Sequence, residues 1–526
     1  MKSGQSKGTC RGGGDEPHSR RRTISPSCDP VSLRVTPGGE RAAGGGPFAL
    51  EAADTERLRG RVERALGHVR RAAGPGPGAA PTAAAAVTVP IDAGLDLSAA
   101  ALAARRAGDR FACLEQPDRD GFVLAGLGQA VALEARGPNR FADVSSRARE
   151  LGRTALADDP AEDPLRPPAA GPVFVGGFAF DDEGGSSPEW SGLAPACLVL
   201  PELTLARQGS EARMTLAAAV HPDDDPDAVV ERLLARAGEL AESSMPLLDP
   251  DPVERTRVAS AAPPSHYEHA VERAVERIRA GELEKVVLAR EVRAHAPADH
   301  DPAAVLGALR ELFPGCYCWC VGTPEAAFVG ASPELLVRRE GQRAQTVALA
   351  GTTRRSADPA VDDHLGEQLL RSAKDREEQE IVTRRIERTL APVSLWVAAA
   401  GEPVLVKVTG VQHLATPIRA QLADPLPAVE LAGLLLPTPA VGGEPREAAL
   451  PLIPALEGLD RGWYAGAVGW TDLAEDGEFC VALRCALLRG RVAHLYAGCG
   501  IVRESVPADE LAETEVKLQA LLPLLS

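Results

Sequence analysis

A lysine stands at the head of a short apolar run, Lys285 followed by Val286, Val287, Leu288 and Ala289. The run is too short for a helix of its own and reads as a strand fed by a turn at Gly281. A side-chain period of two puts Lys285, Val287 and Ala289 on one face, and Val286, Leu288 and Arg290 on the other. A lysine on an otherwise apolar face is partly desolvated, which disfavours the ammonium and lowers its pKa from a reference near about 10.4. That is the property of a general base working near neutral pH. The plain alternative is a solvated lysine flanking a strand end.

Carboxylates follow on two helical stretches. Residues 362–390 read as one long helix, and Lys374 and Glu378 share a face of it. From Asp509 the C-terminal stretch is also helical, with Glu510, Glu513 and Lys517 on one face. Taken separately, each is an ordinary solvated surface. Taken together, two helices that each turn a carboxylate inward make a Mg²⁺ site, because hard oxygen ligands, with water and substrate completing the shell, suit that ion. No metal-spaced His pair is present, so Mg²⁺ is preferred to a transition metal. Arg484 lies on a strand pattern and can offer a bidentate fork to a carboxylate. Glu334 follows Ser332 and Pro333 as a turn carboxylate would, and His413 alone reads as a core histidine.

Lys285 is followed in order by 328–336 around Glu334, 349–352, 374–378, 413–416, 437–443 and 510–517. Together these stretches resemble the chorismate-utilising enzymes, most closely the isochorismate synthases, from about residue 110 to the C-terminus. The resemblance implies an α+β fold, an α/β sandwich of two stacked, largely antiparallel sheets with helices outside and the active site between them. It implies Mg²⁺-dependent, reversible isomerisation of chorismate to isochorismate. In that scheme Lys285 is the base that activates water and Glu334 is the general acid. For that task Glu334 must hold a proton at neutral pH, through an apolar surround or through Glu378, Glu510 and Glu513 as neighbours.

By the same resemblance Glu378 and Glu513 are metal ligands, Glu510 acts through a water, and Lys517 approaches the substrate's charge. Gly351 and Thr352 line the ring carboxylate, and His413 stands beside the ring. Arg484, Tyr464 and the backbone of Gly498 and Gly500 serve the other carboxylate, glycine permitting close approach. Ala440 and Val441 keep the isochorismate-synthase pattern, whereas Leu436 stands where the family usually has histidine. The nearest rival is a salicylate synthase, which shares the base, acid and metal site and then eliminates pyruvate. The 437–443 loop favours the non-eliminating enzyme. Menaquinone biosynthesis is the expected destination, with a catechol siderophore or salicylate as alternatives.

Several elements must position these groups. A helical stripe of Tyr267, Val271, Ala274, Val275 and Ile278 precedes the lysine strand, with Ser265 and Glu268 as a capping box and Gly281 as its end. Upstream, 111–116 and 122–128 read as two strands around a turn built by Pro117, Asp118 and Gly121. Residues 174–180 form another strand. Residues 198–206 and 212–219 read as a hairpin, followed by a helix over 223–240. The chain is expected to divide into a disordered extension (1–85), an N-terminal part of the fold (86–250) and a catalytic region (251–526). Within the extension, Leu58, Val62, Leu66 and Val69 predict one helix over 55–71, and 79–86 reads as a linker. Removal of 1–85 is expected to leave turnover intact.

Composition narrows the function classes. With 57 Lys and Arg against 74 Asp and Glu, the net charge is −17. No basic footprint is offered to nucleic acid. No run reaches the length of a membrane span. The ten cysteines contain no Cys-x-x-Cys pair and fit a reducing cytosol. Cys316, Cys318 and Cys320 alternate as buried residues on one strand face do. A cytoplasmic monomer or weak homo-oligomer acting on a small anionic substrate is expected.

Overall fold

Two large sheets carry the chain in the computed structural model, which describes residues 46–73, 82–248 and 255–526. One sheet has twelve strands and the other ten. Every pairing between their strands is antiparallel. The alternation of side chains explains why both faces of the twelve-stranded sheet are apolar. Ala112, Leu114, Trp319 and Val321 enter the core between the sheets, which also holds Phe174, Phe178 and Phe479. Their sequence neighbours Phe111, Cys113, Cys318 and Cys320 enter a second core, under helices that supply Leu58, Leu233, Leu306 and Leu309. The cysteine trio is thus buried, as its spacing predicts.

Gly45–Ser526 is one compact unit. Strands from 86–250 and 251–526 share both sheets: Phe111–Gln116 pairs with Tyr317–Gly322, with Cys113 opposite Cys320, and Val173–Phe178 pairs with Ala467–Asp472. Within the tract expected to be an extension, the α-helix Ala52–Ala72 forms and buries Leu58, Val62, Ala65, Leu66 and Val69. Ala83–Pro90 is a strand in register with 213–220, so the expected linker ends before Ala83. Residues 1–45 and 74–81 lie outside the described residues.

Three expectations need correction. Residues 198–206 do not form one strand. The chain changes sheets at Pro201, so Ala196–Leu200 joins the ten-stranded sheet while Leu203–Gln208 joins the twelve-stranded one and pairs with Glu211–Val220. The helix before the lysine strand, Pro264–Arg279, has Pro263 as its N-cap and no side-chain cap, so Ser265 and Glu268 make no capping box. Pro264 presets the first helical turn instead. The long helix over 362–390 is two helices, Pro359–Arg371 and Ala373–Leu390. Ser372 breaks it: its backbone is extended and its hydroxyl accepts a hydrogen bond from the amide of Asp375, the competition that makes serine a cap rather than a helix former.

The chain crosses between the sheets twice beside the site. Ala327–Ser332 belongs to the twelve-stranded sheet and Leu335–Glu340 to the other; Gly477–Val481 and Cys485–Arg489 make the reverse passage. The two crossovers run side by side. The amide of Ala331 donates to the carbonyl of Arg484 at 3.0 Å, and the amide of Val481 donates to the carbonyl of Glu334 at 3.0 Å.

Candidate active site

A cavity of about 270 Å³ opens where these crossovers meet the helices Ala373–Leu390 and Pro507–Leu518. Its lining includes Glu334, Gly351, Thr352, Glu378, His413, Ala440, Tyr464, Arg484, Gly498, Gly500, Glu510, Glu513 and Lys517. Lys285 is the one expected site residue absent from that lining. It stands directly behind Gly500, where an added Cβ would lie 2.7 Å from its Cε.

Lys285 is 1% exposed. The sequence reading leaves its ammonium on an apolar face; in the structure that ammonium has a partner, Oε1 of Glu378 at 2.8 Å. Glu334 is 2% exposed and belongs to the crossover rather than to an exposed turn. Burial pushes its carboxyl up to about 8, against the pull of Lys285 and Arg484. The apolar surround, not the neighbouring carboxylates, is the cause. A carboxyl so placed carries its proton at neutral pH.

Arg484 does not lie within a strand. It sits between Val481 and Cys485 with φ of 49°, a left-handed backbone that costs a non-glycine residue energy. Among the described residues no carboxylate lies within ion-pair distance of it. Its guanidinium donates to Nε2 of His413 at 3.3 Å. A guanidinium only donates, so Nε2 is the acceptor and Nδ1 carries the imidazole proton, which it offers to Oγ1 of Thr352 at 3.0 Å. Burial, then the charges of Arg484 and Lys517, push His413 down to about 3, so the ring is neutral. Gly351 has φ of 66° at a register shift in the strand Arg343–Arg354. Its freedom from a Cβ lets the strand kink beside Asp375.

The opposite wall is ionic. Glu510 and Glu513 present carboxylate oxygens within 4.8 Å of one another and of Cys499 Sγ. Lys374 faces Glu510 at 3.7 Å, and Lys517 pairs with Glu513 at 2.7 Å and donates to the carbonyl of Gly498 at 2.8 Å. Burial raises Glu510, and repulsion from Glu513 adds to it. Burial also raises Asp375, with Glu378 and Glu513 contributing. Burial would raise Glu513 too, but Lys517 overrides it and leaves Glu513 below the usual carboxylate range. Crowded carboxylates that repel one another fit a hard divalent cation, and oxygen donors from two helices are of the kind that holds one. Glu378 lies outside the 4.8 Å group, turned to Lys285.

The structure thus gathers the expected residues at one place. It adds Asp375, Val287, Val441 and Tyr496 to the lining. Each had a signal: Val287 shares the face of Lys285 and Tyr496 alternates with Gly498 and Gly500 on one strand face, Asp375 is three residues before Glu378 on one helix face, and Val441 lies in the 437–443 loop. Leu436 packs into the core between the sheets, 1% exposed, and does not line the cavity.

Residues 79–526 match the chorismate binding enzyme family. The salicylate biosynthesis isochorismate synthase of Pseudomonas aeruginosa is 39% identical over 412 residues, covering 78% of this chain and 84% of its own length. Isochorismate synthase MenF of Bacillus subtilis is 33% identical over 407 residues, covering 77% and 85%. The solved menaquinone-specific isochorismate synthase MenF of Escherichia coli superposes with a TM-score of 0.71 at 28% identity, covering 89% of this chain and all of that one. With this match over most of its length, and with two antiparallel sheets enclosing the cavity, the chain belongs to the chorismate-binding enzymes.

Proposed function

We propose that the protein is an isochorismate synthase, which isomerises chorismate reversibly to isochorismate. One observation carries the assignment of roles: a buried carboxyl that keeps its proton, Glu334, lines the same cavity as an unpaired guanidinium, Arg484, and an acidic wall with Lys285 behind it. In the forward direction Lys285, having first given up its ammonium proton, accepts a proton as the neutral amine from water, whose oxygen bonds to C2 of the ring. The ring double bonds shift, and the C4 hydroxyl departs as water with the proton of Glu334. One water enters and one leaves, so the reaction is an isomerisation, and exchanged roles run it backwards.

Arg484 is placed to receive a substrate carboxylate, because among the described residues no carboxylate pairs with its half-buried charge. His413, neutral and tied to both Thr352 and Arg484, fixes the orientation of that guanidinium. Glu378, Glu510 and Glu513 would hold Mg²⁺. Bound there, the ion would neutralise the ring carboxylate and let an acidic protein take a dianion. The proposed destination of the product is menaquinone, in line with the MenF relatives. Among the described residues no helix is long and apolar enough to cross a membrane; a cytoplasmic monomer or weak homo-oligomer is proposed.

Incubation with chorismate, with and without Mg²⁺, followed by chromatography of the products tests this. Metal-dependent isochorismate without pyruvate is expected, and Lys285→Ala should abolish it. Salicylate with pyruvate would reassign the protein to the rival synthase, and no turnover would leave it a binding protein.

A further inference from the structure

The lysine strand Lys285–His295 pairs along one edge with Val492–Ile501 from Val286 to its end. Its other edge is covered only in parts. Gly443–Glu444 pairs with Lys285 and Val286, and Arg257–Ser260 pairs with 292–295. Between them, the carbonyl of Val287 and the amide of Ala289 face no strand. Two side chains take the missing rungs. Arg461 donates through Nη2 to the carbonyl of Val287 at 2.9 Å, and the amide of Ala289 donates to Oε1 of Glu457 at 2.7 Å. Arg461 also donates through Nη1 to the carbonyl of Val441 at 2.8 Å, and its Nε donates to Oε2 of Glu457 at 3.0 Å. Its own carbonyl accepts from the amide of Tyr464 at 2.9 Å.

Val287, Val441 and Tyr464 all line the cavity. Arg461 therefore joins three parts of its wall, Val287 and Val441 through its guanidinium and Tyr464 through its own carbonyl, and the first of them is two residues from Lys285. The pair is 3% and 1% exposed, so its charges have left water at a desolvation cost that stability alone does not explain. Apolar residues of equal volume would leave three buried backbone groups unpaired. A lysine would reach fewer of them, because its compact ammonium lacks the planar fork.

Building on the isochorismate synthase reading, we propose that Arg461 and Glu457 are positioning residues for this reaction, acting as a two-residue substitute for a strand that aligns Lys285 with the 437–443 loop and Tyr464. Neither touches the reacting atoms. Their effect falls on alignment of the base and substrate, and therefore on kcat more than on KM.

The test compares full-length wild type, Arg461→Lys and Glu457→Gln, with kcat and KM for chorismate measured beside thermal melting and the folded fraction. For Arg461→Lys kcat should fall on the order of 100-fold in protein that remains folded, the loss expected from misplacement by about an ångström, while KM stays near the wild-type value. Glu457→Gln can keep the bond from Ala289 on its oxygen, but it loses the charge and the second acceptor that faces Nε of Arg461. It should lose kcat in the same sense to a smaller degree, and it decides the matter should Arg461→Lys fail to fold. Unchanged kcat in a folded variant overturns the proposal, as does a loss that merely tracks the unfolded fraction or that resides in KM. Wild-type turnover of chorismate to isochorismate is the control. Its absence would refute the functional reading rather than the positioning role.

Discussion

Nζ of Lys285 stands 2.8 Å from Oε1 of Glu378, so the proposed base and a proposed metal ligand are each other's partner. An oxygen at that distance serves the ammonium; drawn toward Glu510 and Glu513, it would serve a cation. Mg²⁺ binding and the Lys285 pair therefore compete for Glu378. Glu378→Gln should weaken Mg²⁺ binding by at least 10- to 100-fold, roughly the loss seen even for groups one shell further from a metal. Calorimetric titration of Mg²⁺ into the variant checks this. Unaltered affinity would remove Glu378 from the ligand set.

Gly500 keeps that pair together. A Cβ at this position would lie 2.6 Å from Oε1 of Glu378 and 2.7 Å from Cε of Lys285, too close for either to stay. The strand itself need not move, because the conflict is with side chains. Gly500→Ala should therefore lose kcat by roughly 100-fold through misplacement of the base, with little change in melting temperature. Wild-type kcat in this variant would show that Lys285 works from somewhere else.

Glu334 gives the site its alkaline limit. As a general acid it works only while protonated, so turnover should fall as pH rises through about 8. Stability has the same sign. The folded state keeps a proton that the unfolded state releases near 4.5, so the stability tied to this group is full below that value and is lost as pH rises toward about 8. The slope is roughly 1.4 kcal/mol per pH unit across that window. Glu334→Gln should abolish turnover and flatten the decline, and so melt above the wild type at the alkaline end. Parallel melting profiles for the two proteins would show that Glu334 holds no such proton.

Much of the site was legible because its residues carry chemistry in short local patterns. Glu510, Glu513 and Lys517 lie on one helix face in the sequence and on one cavity wall in the structure. The raised carboxyl of Glu334 was anticipated, but its cause depends on which atoms surround it, and burial rather than charge decides that. Contacts made across the chain were invisible. Lys285 meets Glu378 across 93 residues, and Arg461 reaches Val287 across 174. Arg484 fitted a strand pattern, yet it turns into a left-handed conformation because the chain changes sheets there. In those cases tertiary geometry, not residue preference, set the outcome. The junction of Arg371 and Ala373 is different: there the capping preference of Ser372 itself starts a new helix instead of extending the old one.

The helix Ala52–Ala72 changes what truncation should do. Removal of 1–85 would take away a helix packed on Ala83–Pro90 and Pro226–Gly238, together with the strand residues opposite 218–220. Arg61 of this helix donates to the carbonyl of Ala86 at 2.7 Å and pairs with Asp158 at 2.6 Å, so it also fastens the strand's edge. Leu58 and Val62 are fully buried, and no residue of the helix lines the cavity. Leu58→Ala should therefore cost about 2–5 kcal/mol of stability by leaving a cavity in a packed core. In the fraction that stays folded, kcat for chorismate should match the wild type. Denaturant unfolding read beside initial rates separates the two effects. A loss of kcat in fully folded Leu58→Ala would mean that the N-terminal helix influences the active site, and unchanged stability would mean that its packing contributes nothing.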